Sequence, residues 1–140
     1  MSSLPILHKK VSDFLIFLID PITCREDKPV NEVMDIFAEN NIGCIAITDS
    51  ENKVRGIFTE RDYILKIAPN KNSDTSKIAI VEHMTPNPFC VDEQQTIGKI
   101  LGIMRLNKFR HIIITNQDKT INKIISVKDL LDWLCDSLTE

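Results

Sequence analysis

Residues 26–63 and 93–130 carry one chemical pattern twice, at a constant offset of 67 and without a gap (Glu26 falls on Glu93, Asp62 on Asp129). Few positions are identical, but the chemistry lines up. Val30, Val33, Met34 and Phe37 fall on Ile97, Ile100, Leu101 and Met104. The apolar runs 42–47 and 109–114 coincide, as do Thr59-x-x-Asp62 and Ser126-x-x-Asp129. A tandem duplication of this length predicts a two-fold-like assembly whose useful surface lies where the copies meet.

Each copy reads as a short strand, a helix, two strands and a second helix. Asp27-Lys28-Pro29 opens the first helix, since Asp can accept from free amides and proline suits the first turn. The apolar residues recur at i, i+3, i+4 and i+7, one stripe per helix. After Asn40-Asn41, residues 42–48 make a short apolar run fit for a buried strand, and 53–58 supply its hairpin partner across a polar turn. Thr59 then precedes a helix over 60–68. Copy two repeats this with a turn at 116–119, a strand over 121–125 and a helix over Val127–Leu138. Residues 81–85 introduce copy two as 11–15 introduce copy one, at an offset of 70, so copy one carries three extra residues there. The reading gives one repeat at 11–68, a polar linker at 69–80 and a second repeat at 81–138: an α/β (α+β) chain of two small sheets, each with two helices.

At 140 residues the chain buries about two-thirds of its unfolded surface, so a packed core needs no covalent staples. The net charge is −3 with no basic tract, which argues against nucleic acid as a partner. Cys24, Cys44, Cys90 and Cys135 are dispersed, without C-x-x-C or a histidine at metal-ligand spacing, and read as small hydrophobes kept reduced. Lys9 and Lys10 precede an apolar run at 14–19, but six residues are too few for a secretory core or a membrane span. A cytoplasmic protein is expected.

GIFTERDY (56–63), VEHMTPNP (81–88), FRHIIIT (109–115) and IISVKDLLDWL (124–134) resemble the recurring runs of cystathionine-beta-synthase domains, usually called CBS domains. The resemblance covers about 11–65 and 81–136. No catalytic domain is appended, so the chain is similar to a stand-alone CBS pair. The resemblance implies a Bateman module, two repeats packed with pseudo-two-fold symmetry around two clefts whose usual ligands are adenosine nucleotides. AMP, ADP or ATP is the expected ligand, and no other cofactor is expected. S-adenosyl compounds and nicotinamide nucleotides present the same ribose and adenine.

The residues suit that role. An ionised Asp can accept from both hydroxyls of a ribose, which nominates Asp62 and Asp129. Thr59 and Ser126, where a strand turns into a helix, offer hydroxyls and free amides to an anionic oxygen. The resemblance implies that phosphates are met by basic residues of the other repeat, and mapping the motifs then sets Asp62 and Thr59 opposite Arg110, His111 and Lys128. The reciprocal cleft pairs Asp129 and Ser126 with Arg61 alone, because Gly43 and Cys44 stand at the positions of Arg110 and His111. The clefts are therefore expected to be unequal, the Asp62 cleft favouring a phosphorylated nucleotide. Lys123, where copy one has Gly56, points the same way, and Ile113 replaces the family's usual proline.

Simpler structural roles compete with each assignment. Ser or Thr with an acidic residue three positions later is also a capping box. His111 could be a satisfied edge-strand histidine, and Arg61 and Lys128 simple solvated charges. Gly98 and Gly102 allow close helix packing, and no P-loop or G-x-G-x-x-G is present. The apolar surplus of 14–19 and of the last helix suggests a partner surface and a homodimer. Two functions follow: a nucleotide-sensing module that signals to an unidentified regulated protein, or a dimeric interaction scaffold without a ligand. Catalysis is not expected, since no carboxylate cluster or nucleophile–base pair accompanies the two Asp residues.

Overall fold

In both copies the apolar stripe becomes the buried face of a helix laid on a small sheet. The structure, a computed structural model, describes residues 4–139. Its chain forms two compact units: Pro21–Pro88 is one, and the other joins the chain up to Asp20 with the chain from Phe89 onward.

In the unit Pro21–Pro88, β1 (Thr23–Arg25) runs parallel to β2 (Cys44–Thr48), which forms a hairpin with β3 (Val54–Thr59). Helix α1 (Val30–Asn40) connects β1 to β2, burying Val30, Val33 and Phe37. It ends at Asn41, in the left-handed conformation at φ 52°, where asparagine is tolerated better than most residues. Ile45, Ala46 and Ile47 are all fully buried, which is why this strand reads as a continuous apolar run. After β3 comes a single α-helical turn, α2 (Glu60–Asp62), and then a π-helical turn, Tyr63–Ile67, closed by Ala68 N–H donating to the Tyr63 carbonyl at 2.9 Å. The predicted single helix over 60–68 is thus two windings. Strand β4 (Thr85–Pro86) completes the order β1-β2-β3-β4.

The other unit repeats the plan with three strands. Strand β5 (Cys90–Val91) is parallel to β6 (His111–Thr115), which pairs antiparallel with β7 (Ile121–Ser126). Helix α3 (Ile97–Asn107) buries Ile97, Ile100 and Met104, and α4 (Val127–Leu138) follows β7 directly. The duplication extends to irregularities. Register shifts fall at Ile47/Thr48 and Ile114/Thr115, and the left-handed residues Asn41 and Asn52 are matched by Lys108 and Lys119. Of the two α3 glycines, Gly98 meets a close neighbour: a Cβ there would stand 2.9 Å from the Leu7 carbonyl oxygen, whereas Gly102 faces open space.

The lead-in segments are exchanged between the copies. Lys9–Val11, ahead of copy one, lies on the start of α3: Val11 N–H donates to the Gln95 carbonyl and Ile97 N–H to that of Lys9. Residues 78–80, ahead of copy two, do the same for α1: Ile80 N–H donates to the Lys28 carbonyl and Val30 N–H to that of Ile78. These bonds supply the first amide of each helix, a group with no partner inside the helix. Asp27 consequently makes no cap bond; the Ile78 carbonyl serves Val30 instead, and the N-cap position belongs to Pro29. The paired bonds also correct the lead-in register. Val11 corresponds to Ile80, an offset of 69 rather than 70, so copy one carries two extra residues there and not three. Burial agrees, with Val11 and Ile80 at 0% exposure and Val81 at 40%.

This register is testable by urea denaturation. Ile80→Ala is expected to cost about 2–5 kcal/mol and Val81→Ala less than about 0.5 kcal/mol. Comparable losses at the two positions would contradict the offset of 69.

Candidate functional site

Each hairpin ends in a hydroxyl residue that turns directly into a helix, and there the sequence places its paired carboxylates. At the first corner, Asp62 N–H donates to Thr59 Oγ1 at 3.1 Å, while Asp62 Oδ2 accepts from Thr59 N–H at 3.0 Å and from its hydroxyl at 3.2 Å. At the second, Asp129 N–H donates to Ser126 Oγ at 3.1 Å, and Asp129 Oδ2 accepts from Ser126 N–H at 2.8 Å and its hydroxyl at 2.9 Å. Both are complete capping boxes. Each helix start is further tied to the preceding strand region, by Glu60 N–H to the Gly43 carbonyl and Val127 N–H to the Arg110 carbonyl. Capping consumes one oxygen of each carboxylate.

The second oxygens differ. Asp62 Oδ1 is ion-paired with Lys66 Nζ at 3.1 Å and accepts from the Thr85 hydroxyl at 3.2 Å. Lys66 also donates to the His83 carbonyl at 3.1 Å and to Thr85 Oγ1 at 3.3 Å. Asp129 Oδ1 has no hydrogen-bond partner among the described residues. Trp133 stands at the place of Lys66, 67 positions on, and stacks on Phe14 with ring centroids 4.6 Å apart. Lys66 and Thr85 were absent from the sequence-predicted site. The spacing of Asp62 and Lys66, i and i+4, is the signal that points to the first; Thr85 is brought in by β4 alone.

The predicted cations divide between the units. Arg61 lies with Thr59 and Asp62; Arg110, His111 and Lys128 lie with Ser126 and Asp129. Arg61 and Arg110 are exposed and make no ion pair among the described residues. Lys128 pairs with Asp132 at 3.4 Å on the surface of α4, a contact of little energy in water. His111, opposite Ser126 in the β6–β7 ladder, is half-buried. Burial holds its imidazole below the ordinary 6.5; the Asp129 carboxylate opposes that shift and Arg110 adds to it. His111 is thus neutral at neutral pH, a hydrogen-bonding group rather than the potentially positive one that its residue type offers. At the equivalent place in the other unit, burial raises the Cys44 thiol to about 12, with Asp62 adding to the rise. None of the four cysteines forms a disulfide among the described residues.

Gly56 and Lys123 differ for a local reason. A Cβ at Gly56 would stand 2.9 Å from the Thr85 carbonyl oxygen, because β4 pairs there with β3. In the three-stranded sheet β7 lies at the edge, and Lys123 reaches Asp20 at 2.5 Å. Strand pairing within each unit accounts for the glycine at one position and the lysine at the other. Among the described residues, no group of three or more His, Cys, Asp or Glu is placed to hold a metal, and no helix is long and apolar enough to cross a membrane.

Residues 11–69 and 79–136 each match the family described as CBS domain. A 17.7 kDa protein of the bps2 3′ region in Acidianus ambivalens is 37% identical over 98 residues, 70% of this chain and 57% of that protein. The inosine-5′-monophosphate dehydrogenase of Aquifex aeolicus is 32% identical over 115 residues, 81% of this chain and 22% of the enzyme. The chain thus spans little more than half of the first relative and about a fifth of the second, so the likeness to the dehydrogenase is one of a domain. Among solved structures, the CBS-domain containing protein ATU1752 of Agrobacterium tumefaciens superposes with a TM-score of 0.80 at 24% identity, covering 94% of this chain and 98% of that one. The CBS domain pair of protein MJ0100, in complex with methylthioadenosine and S-adenosyl-L-methionine, gives 0.77 at 23% identity, covering 90% and 99%. Both show a shared fold.

The His111 environment predicts a pH dependence. Its folded pKa lies below its unfolded one, so its contribution to stability is present above about pH 6.5 and is lost as pH falls through that value toward the folded pKa. Thermal melts of His111→Gln between about pH 7 and about pH 5 should therefore decline less steeply than those of the wild type. Parallel declines would mean that His111 protonates as freely folded as unfolded.

Proposed function

This chain belongs to the CBS-domain family, with two repeats in tandem, and on that footing we propose that it is a regulatory module that binds an adenosine nucleotide such as AMP, ADP or ATP and signals to a partner protein by conformational change. The observation that carries this reading is the Asp129 carboxylate. Its Oδ2 is fully used in capping, while its Oδ1 has no hydrogen-bond partner among the described residues, although an isolated cap needs only one oxygen. A half-buried carboxylate oxygen with both lone pairs open suits the vicinal diol of a ribose, where hydrogen bonds to a charged acceptor are strong. That a structural neighbour was solved with two adenosine compounds supports the same ligand class.

Asp62 and Asp129 are the proposed ribose-binding residues. Thr59 and Ser126, with Arg61, Arg110 and Lys128, would face phosphate oxygens. His111, neutral, would donate or accept a hydrogen bond. The ligand undergoes no covalent change, and it biases the protein only by its differential affinity for two arrangements.

A dimeric scaffold without a ligand is the second reading. Ile64 is 62% exposed, Leu65 61%, Leu131 57% and Leu138 66%, with Ile64 and Leu131 at the same position in the two copies. Exposed apolar residues repeated on both second helices suit a second copy of this chain. Both readings place a homodimer in the cytoplasm.

Calorimetric titration with AMP, ADP, ATP and S-adenosylmethionine separates them. Asp→Asn at position 62 or 129 keeps an oxygen for the cap but places an amide where the diol would bind. The nucleotide reading expects the relevant variant to lose about tenfold or more in affinity, one charged hydrogen bond. If none of the four binds the wild type at millimolar concentration while Leu131→Glu dissociates a dimer in sedimentation, the scaffold reading stands instead.

A further inference from the structure

Counting lone pairs at the two carboxylates leads beyond the proposed function, on which this inference rests. An ionised carboxylate offers about four acceptor positions, two on each oxygen. At Asp62 both oxygens are engaged from within the same unit: Oδ2 accepts from the Thr59 amide and hydroxyl, and Oδ1 accepts from the Thr85 hydroxyl with the Lys66 ammonium ion-paired against it. The circuit is closed from the other side as well. The Lys66 ammonium, ion-paired with Asp62 Oδ1, donates to the His83 carbonyl and to Thr85 Oγ1. The Thr85 hydroxyl accepts from Lys66 and donates to Asp62. Asp62 is only 14% exposed, so this pair is better shielded than a surface ion pair.

The second unit lacks both closing groups. The position of Lys66 is taken by Trp133, whose ring is engaged face to face with Phe14. By the lead-in offset of 69, Phe14 itself corresponds to His83, and Thr85 corresponds to Ile16, a residue without a donor that stands 86% exposed. An aromatic stack thus replaces a lysine tripod, and Asp129 Oδ1 keeps two open acceptor positions.

We infer that Lys66, held by Thr85 and the His83 carbonyl, is a built-in occupant of the Asp62 diol site, so that an adenosine ligand loads the Asp129 site first and reaches Asp62 only by displacing the lysine. This order reverses the one expected from counting cations in the sequence. Lys66 and Thr85 are then the residues that decide which carboxylate is available. A ligand that offers a phosphate to the displaced ammonium opens the Asp62 site more readily than adenosine, which offers none.

The test is calorimetry with AMP and with adenosine on the wild type, Lys66→Met and Thr85→Val. Methionine keeps the apolar stem and removes the ammonium. The wild type should bind one AMP per chain, weakened tenfold or more by Asp129→Asn and little changed by Asp62→Asn. Lys66→Met should add a second site for AMP and adenosine alike, abolished by Asp62→Asn in the same chain. Thr85→Val, which frees one acceptor position by an independent substitution, should strengthen weak binding at that second site. Wild-type binding that depends on Asp62 and not on Asp129 would overturn the inference. So would a Lys66→Met protein, folded by circular dichroism, that binds AMP with unchanged stoichiometry or more weakly. Those outcomes leave the nucleotide reading intact; absence of binding to the wild type and to every variant would remove both.

Discussion

The backbone bonds at the two helix starts are the constraint on which the rest depends. An α-helix begins with amides that have no partner of their own, and here the first is met by a carbonyl from the segment that precedes the opposite copy: Val30 by Ile78, Ile97 by Lys9. Val11 and Ile80 are drawn into the cores by the same exchange and are fully buried. Neither sequence copy therefore contains a whole unit. The core beneath α3 and β6 includes Val11 and Leu18, and the core beneath α1 and β2 includes Ile80 and Met84. The unit Pro21–Pro88 closes once the segment ahead of copy two is in place, whereas the other must bring the chain from Phe89 onward back to the segment ahead of copy one, a pairing of high sequence separation.

The same exchange makes the corners unequal. The lead-in of copy two continues into β4, which covers the edge of β3 and delivers Thr85 to Asp62. The lead-in of copy one is a 3₁₀ helix over Val11–Phe17, delivers Phe14 to Trp133 and leaves β7 at the edge of its sheet. A lysine on an edge strand is a common guard against unwanted pairing, and Lys123 with Asp20 fills that role. Two copies built on the same strand–helix–hairpin plan thus hold their carboxylates in different states of use. Capping and ligand binding need the same group, and what separates them is whether the second oxygen is already occupied.

Much of this was legible in the chain. The stripes of α1 and α3, the buried runs of β2 and β6 and the hydroxyl–carboxylate pairs all carry local signals, because helical spacing, continuous hydrophobicity and capping depend on neighbours in sequence. The sequence pattern sets the lead-in register one residue off, since Val81 and Ile80 are equally apolar and only the backbone pairing tells them apart. The helix after Thr59 was read as uniform, and its π-helical turn left no mark in the residue pattern. His111 was counted as a potential charge, and burial between strands removed it.

What the sequence by itself determined is the duplication, the two strand–helix corners and the pairing of Thr59 with Asp62 and Ser126 with Asp129, all set within a few residues of each other. What only the tertiary structure decided is which carboxylate oxygen remains open. That depends on groups 23 positions away at Thr85 and on a ring stack between Phe14 and Trp133, across more than a hundred residues. Hydrogen-bond acceptors are filled by whatever donor lies nearest in space, and nearness in space is a property of the folded chain.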